Sequence, residues 1–303
     1  MNETTVRPSI ESEVESIGCN EVEPIRRILL RHPRDAFVND AKLDAEWRTL
    51  NYSARPDFTR AIDEYEALIS VLTDVGARID YLPGDGGLTL DSLYVRDAAV
   101  VTPRGVVLCR MGKAARAREP VSVAAALAVW GVPVAGTIQA PGLLEGGDIV
   151  WLDGRTVAAG QGYRTNAEGI RQLQIILGGE VNVVPVPLPH WRGADDVFHL
   201  MSLISPIDEN LALVYLPLLP VPFRQYLCAR GMRLVEVPEH EFDTMGGNVL
   251  ALAPRHCVML AGNPLTAKRL EREGATVHVI AGQEISHKGS GGPTCLTRPL
   301  VRG

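Results

Sequence analysis

Short segments that each carry one polar, chemically useful residue recur about every 50 residues along this chain. Each segment precedes the pattern of a β-hairpin, an amphipathic helix and another strand. The residues at these openings are Asp97, Glu145, His199, Asn248 and Cys295. Such a period is typical of repeat folds. If the repeats close into a ring, equivalent positions point at one axis, so the pattern predicts a catalytic site there.

The unit that follows Glu145 illustrates the pattern. Two apolar runs, 148–152 and 156–159, flank an Asp-Gly turn and predict a hairpin. Thr165 or Asn166 then caps a helix that ends at Gly178, and 181–187 is the returning strand. The same succession predicts three further units over about 98–134, 199–237 and 248–280.

The two ends of the chain supply the material for a fifth unit. A helix begins after Asp57 and ends at Gly76, and strands are predicted over 27–31 and 295–299. Pairing these terminal strands would close the ring and remove its exposed sheet edges. We therefore predict an α/β fold in a single domain over 24–303, preceded by a flexible acidic tail over 1–23.

Composition narrows the class of protein. The net charge of −6 argues against nucleic-acid or anionic-membrane partners, and no apolar run is long enough for a membrane span. The basic cluster over 110–118 suits a small anionic group instead. The five cysteines are widely spaced, which fits neither a disulfide framework nor a zinc site. With no signal peptide at the N-terminus, we expect a cytoplasmic protein with reduced thiols.

Cys295 and His199 are the candidates for nucleophilic chemistry. Cys295 follows a glycine-rich approach, 289–294, which lets backbone N–H groups and a substrate come close to the sulfur. A thiolate nucleophile needs a nearby acid/base, and His199 is the histidine that shares the period of the repeat. The alternatives are a buried inert cysteine and a core histidine.

Carboxylates at the other openings indicate a cationic substrate. Glu145, Asp97 and Asp91 would repel one another around a thiolate unless a cation lay between them. A guanidinium supplies that charge in a planar fork that matches carboxylates. Asn248, another opening residue, is expected to contact the substrate as well. Each carboxylate has the alternative role of a turn residue that binds its own backbone.

Four motifs, taken in order along the chain, resemble those of the guanidino-group modifying superfamily. They are Leu144-Glu145-Gly146-Gly147-Asp148, Arg164-Thr165-Asn166-Ala167-Glu168-Gly169, His199-Leu200, and Gly291-Gly292 with Cys295. That superfamily comprises dimethylarginine dimethylaminohydrolases, arginine deiminases and amidinotransferases. The resemblance implies a five-bladed α/β-propeller of ββαβ repeats, the pentein fold. It spans about residues 25 to 300 and is greatest to the dimethylarginine dimethylaminohydrolases.

The resemblance also implies roles for individual residues. Cys295 would be the nucleophile, His199 the acid/base, and Glu145 the carboxylate coupled to them. Asp97 would bind the guanidinium, while Arg164 and Arg116 would hold the carboxylate of the substrate. No metal and no cofactor are expected.

Two departures from the family pattern bear on the substrate. Arg96 stands where dimethylarginine dimethylaminohydrolases usually carry an acidic residue, and Met201 stands where deiminases place an aspartate against the guanidinium. An apolar thioether tolerates an alkyl group and cannot satisfy an N–H. We therefore predict an amidinohydrolase that acts on an N-substituted, arginine-like guanidine and releases a ureido product such as citrulline.

Alternatives remain within and beyond this chemistry. Amidino transfer would replace water by an acceptor amine, and an arginine deiminase or dihydrolase would act on free arginine. A non-catalytic propeller that binds a ligand is the remote alternative. The expected partner is a small guanidino molecule, and a homodimer is left open.

Overall fold

The computed structural model describes residues 20–194, 196 and 198–303. Residues 1–19 of the predicted tail lie outside the described residues. Glu21 and Val22, which the sequence analysis assigned to that tail, are buried. No helix in the described part of the chain is long and apolar enough to cross a membrane.

Strands and helices alternate along the described chain. The strands are β1 (Ile25–Leu30), β2 (Arg78–Tyr81), β3 (Ala99–Thr102), β4 (Gly105–Leu108), β5 (Val134–Thr137), β6 (Ile149–Asp153), β7 (Thr156–Gln161), β8 (Asn182–Pro187), β9 (Ile204–Asp208), β10 (Leu211–Val214), β11 (Arg233–Glu236), β12 (Leu250–Ala253), β13 (His256–Leu260), β14 (Thr276–Ile280) and β15 (Arg298–Arg302). The α-helices are α1 (Pro33–Ala36), α2 (Asp40–Glu46), α3 (Phe58–Asp74), α4 (Glu119–Val129), α5 (Ala167–Leu177), α6 (Val221–Ala229), α7 (Glu239–Phe242) and α8 (Pro264–Arg272).

Among the described residues the strands form five three-stranded sheets. In four of them two consecutive strands form an antiparallel hairpin, and the strand after the helix lies parallel to the middle one. The fifth sheet joins the two ends of the chain, because β15 pairs antiparallel with β1 and β2 lies parallel to β1. The fold is the predicted five-bladed α/β-propeller of ββαβ units, closed by its terminal strands.

Helix α3 illustrates how the sequence builds one blade. The Asp57 side chain caps it by accepting a hydrogen bond from the Arg60 N–H at 2.9 Å. Its buried face carries apolar residues at three- and four-residue steps, among them Tyr65, Leu68 and Leu72. Gly76 follows with a φ of +79°, a left-handed conformation in which glycine avoids the strain of a side chain. The predicted helix is therefore confirmed.

The strands that follow the opening residues begin later than the sequence predicts. After His199 the predicted strand starts at residue 199, whereas β9 starts at Ile204. After Cys295 it is predicted from residue 295, whereas β15 starts at Arg298. Single-turn 3-10 helices intervene after Glu145 (Gly146–Asp148) and after His199 (Leu200–Ser202). These turns hold the opening side chains out of the sheet ladders.

Candidate active site

The shortest contact between the predicted catalytic side chains joins His199 to Glu145. Both are buried, and the His199 Nε2 lies 2.8 Å from the Glu145 Oε2. Glu145 is the residue before one 3-10 turn and His199 is the residue before another, so two neighbouring blades present them to each other. Leu200 donates its N–H to the Asp148 carboxylate at 3.0 Å, which ties the two turns together.

The charges around this pair favour an imidazolium beside a carboxylate. Burial opposes the charge of His199, but Asp97, Asp148 and Glu145 outweigh burial and raise the pKa of the imidazole. Burial also opposes the charge of Glu145, but its hydrogen bond to His199 holds the pKa of the carboxyl below its usual range. The Glu145 Oε1 accepts backbone N–H groups from Gly112 at 2.9 Å and Lys113 at 3.2 Å. The pair is therefore poised to donate a proton from His199.

Asp97 lies on the other side of the imidazole. Its Oδ1 is 3.8 Å from the His199 Nδ1 and accepts the Gly147 N–H at 3.0 Å. Its Oδ2 accepts from the Arg116 Nη1 at 2.6 Å. Asp97 is thus a fixed carboxylate that faces the histidine.

Cys295 lies next to Asn248, as the repeat predicts. The Asn248 Nδ2 is 3.3 Å from the Cys295 Sγ, and the Asn248 Oδ1 accepts both the N–H and the hydroxyl of Thr294. A side chain at Gly292 would collide with Asn248, since a Cβ there would lie 2.5 Å from its amide carbon. The glycine-rich approach therefore lets the chain pack directly on Asn248.

The Cys295 thiol is held in its neutral form. Burial and then the negative charge of Asp97 raise its pKa, while hydrogen bonds from Asn248, Thr294 and the Gly292 backbone act in the opposite direction. A cation placed beside the sulfur would offset both causes. The site thus favours a thiolate only when a positive charge is present.

Two cavities meet at Cys295. The first, of about 120 Å³, is lined by His199 and Asn248 together with Phe198 and Met201. The second, of about 60 Å³, is lined by several charged residues, listed here: Asp91, Asp97, Lys113, Arg116, Arg164 and Asp196. Charged residues also line the first cavity, at Arg192, Asp196 and Asp243, so both sides of the sulfur combine apolar and charged groups.

The predicted binding residues in the second cavity form different ion pairs and hydrogen bonds. Asp91 pairs with the Lys113 Nζ at 2.6 Å. The Arg164 Nη1 is 3.5 Å from the Glu145 Oε1. Arg116, which was expected to hold a substrate carboxylate, also lines this cavity, and Asp97, Glu119 and the Tyr94 carbonyl accept four of its five N–H groups. Its buried guanidinium is committed to positioning Asp97.

Arg96 also departs from what the sequence suggests. Its Nε donates to the Thr294 carbonyl at 2.9 Å and its Nη2 to Glu21 at 3.2 Å. It lines neither of the two cavities at Cys295. Arg96 therefore places no positive charge at the candidate site.

Sequence reasoning missed several residues of the site. Lys113 belongs to the basic cluster that was expected to bind an anionic group, but its pairing with Asp91 required the fold. Thr294, beside Cys295, gave no periodic signal of its own. Trp191 and Phe242, which line the first cavity, lie outside the repeat pattern.

The site also has the composition of a cation site. Ligand atoms of Asp97, Glu145 and His199 lie within 4.8 Å of one another. Two carboxylates and an imidazole are suitable ligands for a divalent metal, and the same carboxylates suit a guanidinium.

Comparisons with known proteins identify the relatives of this chain. The profile of the family described as "N,N dimethylarginine dimethylhydrolase, eukaryotic" matches residues 35–302. An N(G),N(G)-dimethylarginine dimethylaminohydrolase of Streptomyces coelicolor is 28% identical over 251 residues, which is 82% of this chain and 86% of that protein. An arginine deiminase of Listeria welshimeri is 31% identical over 255 residues, which is 70% of this chain and 62% of that protein.

A solved structure matches the fold as well. It is a cysteine-to-serine variant of the dimethylarginine dimethylaminohydrolase of Pseudomonas aeruginosa in complex with citrulline. The TM-score is 0.74 at 25% sequence identity, and the match covers 92% of this chain and all of that one.

Proposed function

Since the chain belongs to the N,N-dimethylarginine dimethylhydrolase family, whose enzymes hydrolyse C–N bonds of guanidino compounds, we propose that it hydrolyses an N-substituted arginine-like guanidine through a covalent intermediate on Cys295. The observation that carries this proposal is the position of Cys295 between two cavities that present different catalytic groups. The proton donor, His199, lines the first cavity, and the fixed carboxylate, Asp97, lines the second.

The two cavities support one orientation of the substrate. Arg164 and Lys113 would receive the carboxylate of an amino acid in the second cavity, and Asp91 its ammonium group. The guanidinium would then lie over the Sγ of Cys295. The departing amine, with its alkyl groups, would occupy the first cavity beside His199 and Met201.

In the first half of the reaction, the Cys295 thiol loses its proton to water as the guanidinium binds, and the thiolate forms a C–S bond to the guanidinium carbon. As this bond forms, the π electrons of the C–N bond become a lone pair on nitrogen, which cancels the positive charge and leaves the tetrahedral centre neutral. His199 then donates its Nε2 or Nδ1 proton to the departing nitrogen, the C–N bond breaks, and a neutral amine leaves. A cationic S-alkylthiouronium remains on Cys295, and His199 is neutral.

In the second half, neutral His199 takes a proton from water while the oxygen attacks the same carbon. The C–S bond breaks, the Cys295 thiolate is restored, and the hydroxyl proton is released to give the ureido product. The released proton converts the free amine to an ammonium ion, so charge is conserved. Positioning and electrostatic stabilisation supply most of the acceleration.

The protonation states in the free protein support this order of events. His199 is protonated in the free protein, as a proton donor must be, and the Cys295 thiol stays neutral until a cation binds. A bound guanidinium would counter the charge of Asp97 and promote ionisation of Cys295. The enzyme would therefore form its nucleophile mainly when substrate is bound.

The test is turnover of a panel of guanidino compounds, with mass detection of the products and of acid-quenched protein. We expect a ureido product and a covalent adduct on Cys295, both of them lost in Cys295→Ser. Cys257→Ser is the matched control, because Cys257 is buried in β13 away from the cavities. A Cys295→Ser variant with wild-type turnover would overturn the mechanism, and assays after dialysis against a chelator should give unchanged rates.

Hydrolysis of free arginine is the second candidate, and the arginine deiminase relative favours it. Met201 is buried and lines the first cavity, where it offers no acceptor to an unsubstituted nitrogen. We expect kcat/KM to be higher for methylated arginines than for arginine, and Met201→Asp to reverse part of that preference. If arginine is clearly the better substrate of the wild type, the protein is an arginine hydrolase.

The same panel of guanidino compounds also tests two other functions, amidino transfer and non-catalytic binding. An amidinotransferase would form the adduct but pass its amidino group to an added amine faster than to water. A binding protein would leave Cys295 unlabelled by a halo-amidine.

A further inference from the structure

A separate small cavity lies between the N-terminal segment and the last strand, β15. Its volume is about 20 Å³, and it is enclosed by the N-terminal segment and by residues of β3, β6 and β15. Val101 and Trp151 form its apolar part, and none of its lining residues lines the two cavities at Cys295. The substrate does not reach it in the proposed orientation.

Three buried arginines supply most of the polar lining. Arg96 precedes Asp97 in the chain, and Arg298 and Arg302 lie on β15. Arg298 donates from its Nη2 to the Arg96 carbonyl at 2.5 Å, and Arg302 donates from its Nη2 to the Ala251 carbonyl at 3.0 Å. The three guanidinium groups are therefore held in place by backbone carbonyls.

Each of these guanidinium groups retains a donor without a partner. The Arg96 Nη1, the Arg298 Nε and the Arg302 Nε are buried and make no hydrogen bond with any described residue. A buried donor that is left unsatisfied costs about 1–3 kcal/mol, and more when the group is charged. Three such donors around one cavity indicate a missing acceptor.

The charges around the cavity do not balance. Among the described residues that line it, Glu21 is the carboxylate that faces the three arginines. Burial and then repulsion by Arg96 lower the pKa of Arg298 to about 9. Burial lowers the pKa of Arg302 to about 10, although Glu21 opposes the shift. Buried positive charge in excess of its counter-charge is costly unless an anion joins it.

We propose that this cavity binds a small inorganic anion of the halide class, with chloride as the probe. The anion would accept the unpartnered N–H groups of Arg96, Arg298 and Arg302. A cavity of this volume holds one water-sized particle, so a tetrahedral oxyanion or an organic carboxylate is too large. The site would link the N-terminal segment and the last strand to the loop that carries Asp97.

The first experiment is thermal unfolding at constant ionic strength, with sodium chloride replaced stepwise by sodium gluconate. An anion at free concentration c that binds only the folded protein stabilises it by RT ln(1 + c/Kd), so chloride should raise the Tm by about 2 °C at tenfold excess over its Kd. Equal Tm values in the two salts at every composition would overturn the proposal.

Variants then assign the effect to the cavity. Arg302→Met should abolish the difference between chloride and gluconate, whereas Arg230→Met, which changes an arginine paired with Asp153 elsewhere, should preserve it. Because Arg302→Met also removes the hydrogen bond to the Ala251 carbonyl, Glu21→Gln provides an independent variant with the opposite sign. Loss of the competing carboxylate should tighten chloride binding about tenfold, and weaker binding in Glu21→Gln would contradict the proposal.

The last experiment locates the ion. Crystals of the full chain grown in bromide should show anomalous scattering within hydrogen-bond distance of the three guanidinium groups. A cavity that contains water and no bromide would be a hydration site, and the proposal would be wrong.

Discussion

Single residues on the axis control one another's protonation. His199 lies between Glu145, 2.8 Å from its Nε2, and Asp97, 3.8 Å from its Nδ1. Since two carboxylates flank one imidazole away from water, the imidazolium is favoured. The same Asp97 charge disfavours the Cys295 thiolate. The acid is thus ready in the free protein, whereas the nucleophile depends on a bound cation.

Replacement of His199 tests its role in proton transfer. His199→Ala should lower kcat by about 10²–10⁴ and change KM much less, because the residue moves a proton and does not anchor the substrate. The measurement is steady-state kinetics on the best substrate of the panel. His256→Ala is the control, since His256 contacts His278 between β13 and β14. A variant at His199 that has only a raised KM would contradict the assignment.

Replacement of Arg164 tests the orientation of the substrate. Loss of a charge-assisted contact costs about 1.5–3 kcal/mol, so Arg164→Ala should raise KM for amino-acid guanidines about tenfold to a hundredfold. Agmatine, which lacks the carboxylate, should bind nearly as it does to the wild type. An equal loss for both ligands would show that Arg164 acts only on Glu145, 3.5 Å away.

Asp148 makes stability depend on pH. Burial raises the pKa of this carboxyl to about 6, above the usual value near 4. A raised folded-state pKa gives stability that is present below pH 4 and is lost as the pH rises through 6. Asp148→Asn copies the neutral form. We expect it to match the wild type at pH 4 and to exceed it above pH 6 by on the order of 2–3 kcal/mol, measured by denaturant unfolding at each pH.

At the scale of elements, the 3-10 turns between the opening residues and the strands shape the site. The turn Gly146–Asp148 has no room for a side chain at its two glycines, because two blades meet there. A Cβ at Gly147 would lie 2.6 Å from the His199 Nδ1 and 2.7 Å from the Asp97 Oδ1. The glycine therefore sets the distance between the histidine and the carboxylate.

Gly147→Ala should leave the protein folded and lower kcat by at least tenfold, because the added methyl group displaces His199 or Asp97. Circular dichroism reports whether the variant is folded, and steady-state kinetics measures its kcat. Gly154→Ala is the matched control, since a Cβ at this hairpin turn meets nothing within 4 Å. Normal turnover in Gly147→Ala would mean that the turn adapts without moving the site.

At the scale of the molecule, the ring is closed by its own ends. β15 and β1 pair over the register from Ile25 with Arg302 to Leu29 with Arg298. The Gly303 N–H donates to the Pro24 carbonyl at 2.9 Å. The two ends are therefore neighbours in one blade, and Cys295 reaches the axis only because that blade is complete.

A circular permutant tests this closure. The new ends would lie between the exposed residues Gly179 and Glu180, and a flexible linker of about eight residues would join Gly303 to Asn20. We expect one cooperative unfolding transition and turnover within a few-fold of the wild type. A permutant opened between His199 and Leu200 should fold less well and lose turnover, because it cuts the turn that holds the acid. An aggregated first permutant would contradict closure by simple strand pairing.

The features that the sequence predicted are the ones that depend on local patterns of residues. Alternating apolar residues, capping residues and turn glycines depend on near neighbours, so the repeat unit, helix α3 and the closing strands were foreseeable. The starts of β9 and β15 were not foreseeable, because contacts between blades decide where strand pairing begins. The convergence of Asp97, Glu145 and His199 followed from the period alone.

By itself the sequence determined the five-unit α/β ring, the family and the candidate residues, since a repeat places equivalent positions at one axis. The tertiary structure decided how the charges are shared. Arg116 is bound to Asp97 and Glu119, Arg96 faces the small cavity with Arg298, and Lys113 pairs with Asp91. The physical reason is that an ion pair depends on distances of a few ångströms between residues far apart in the chain, which no local pattern contains.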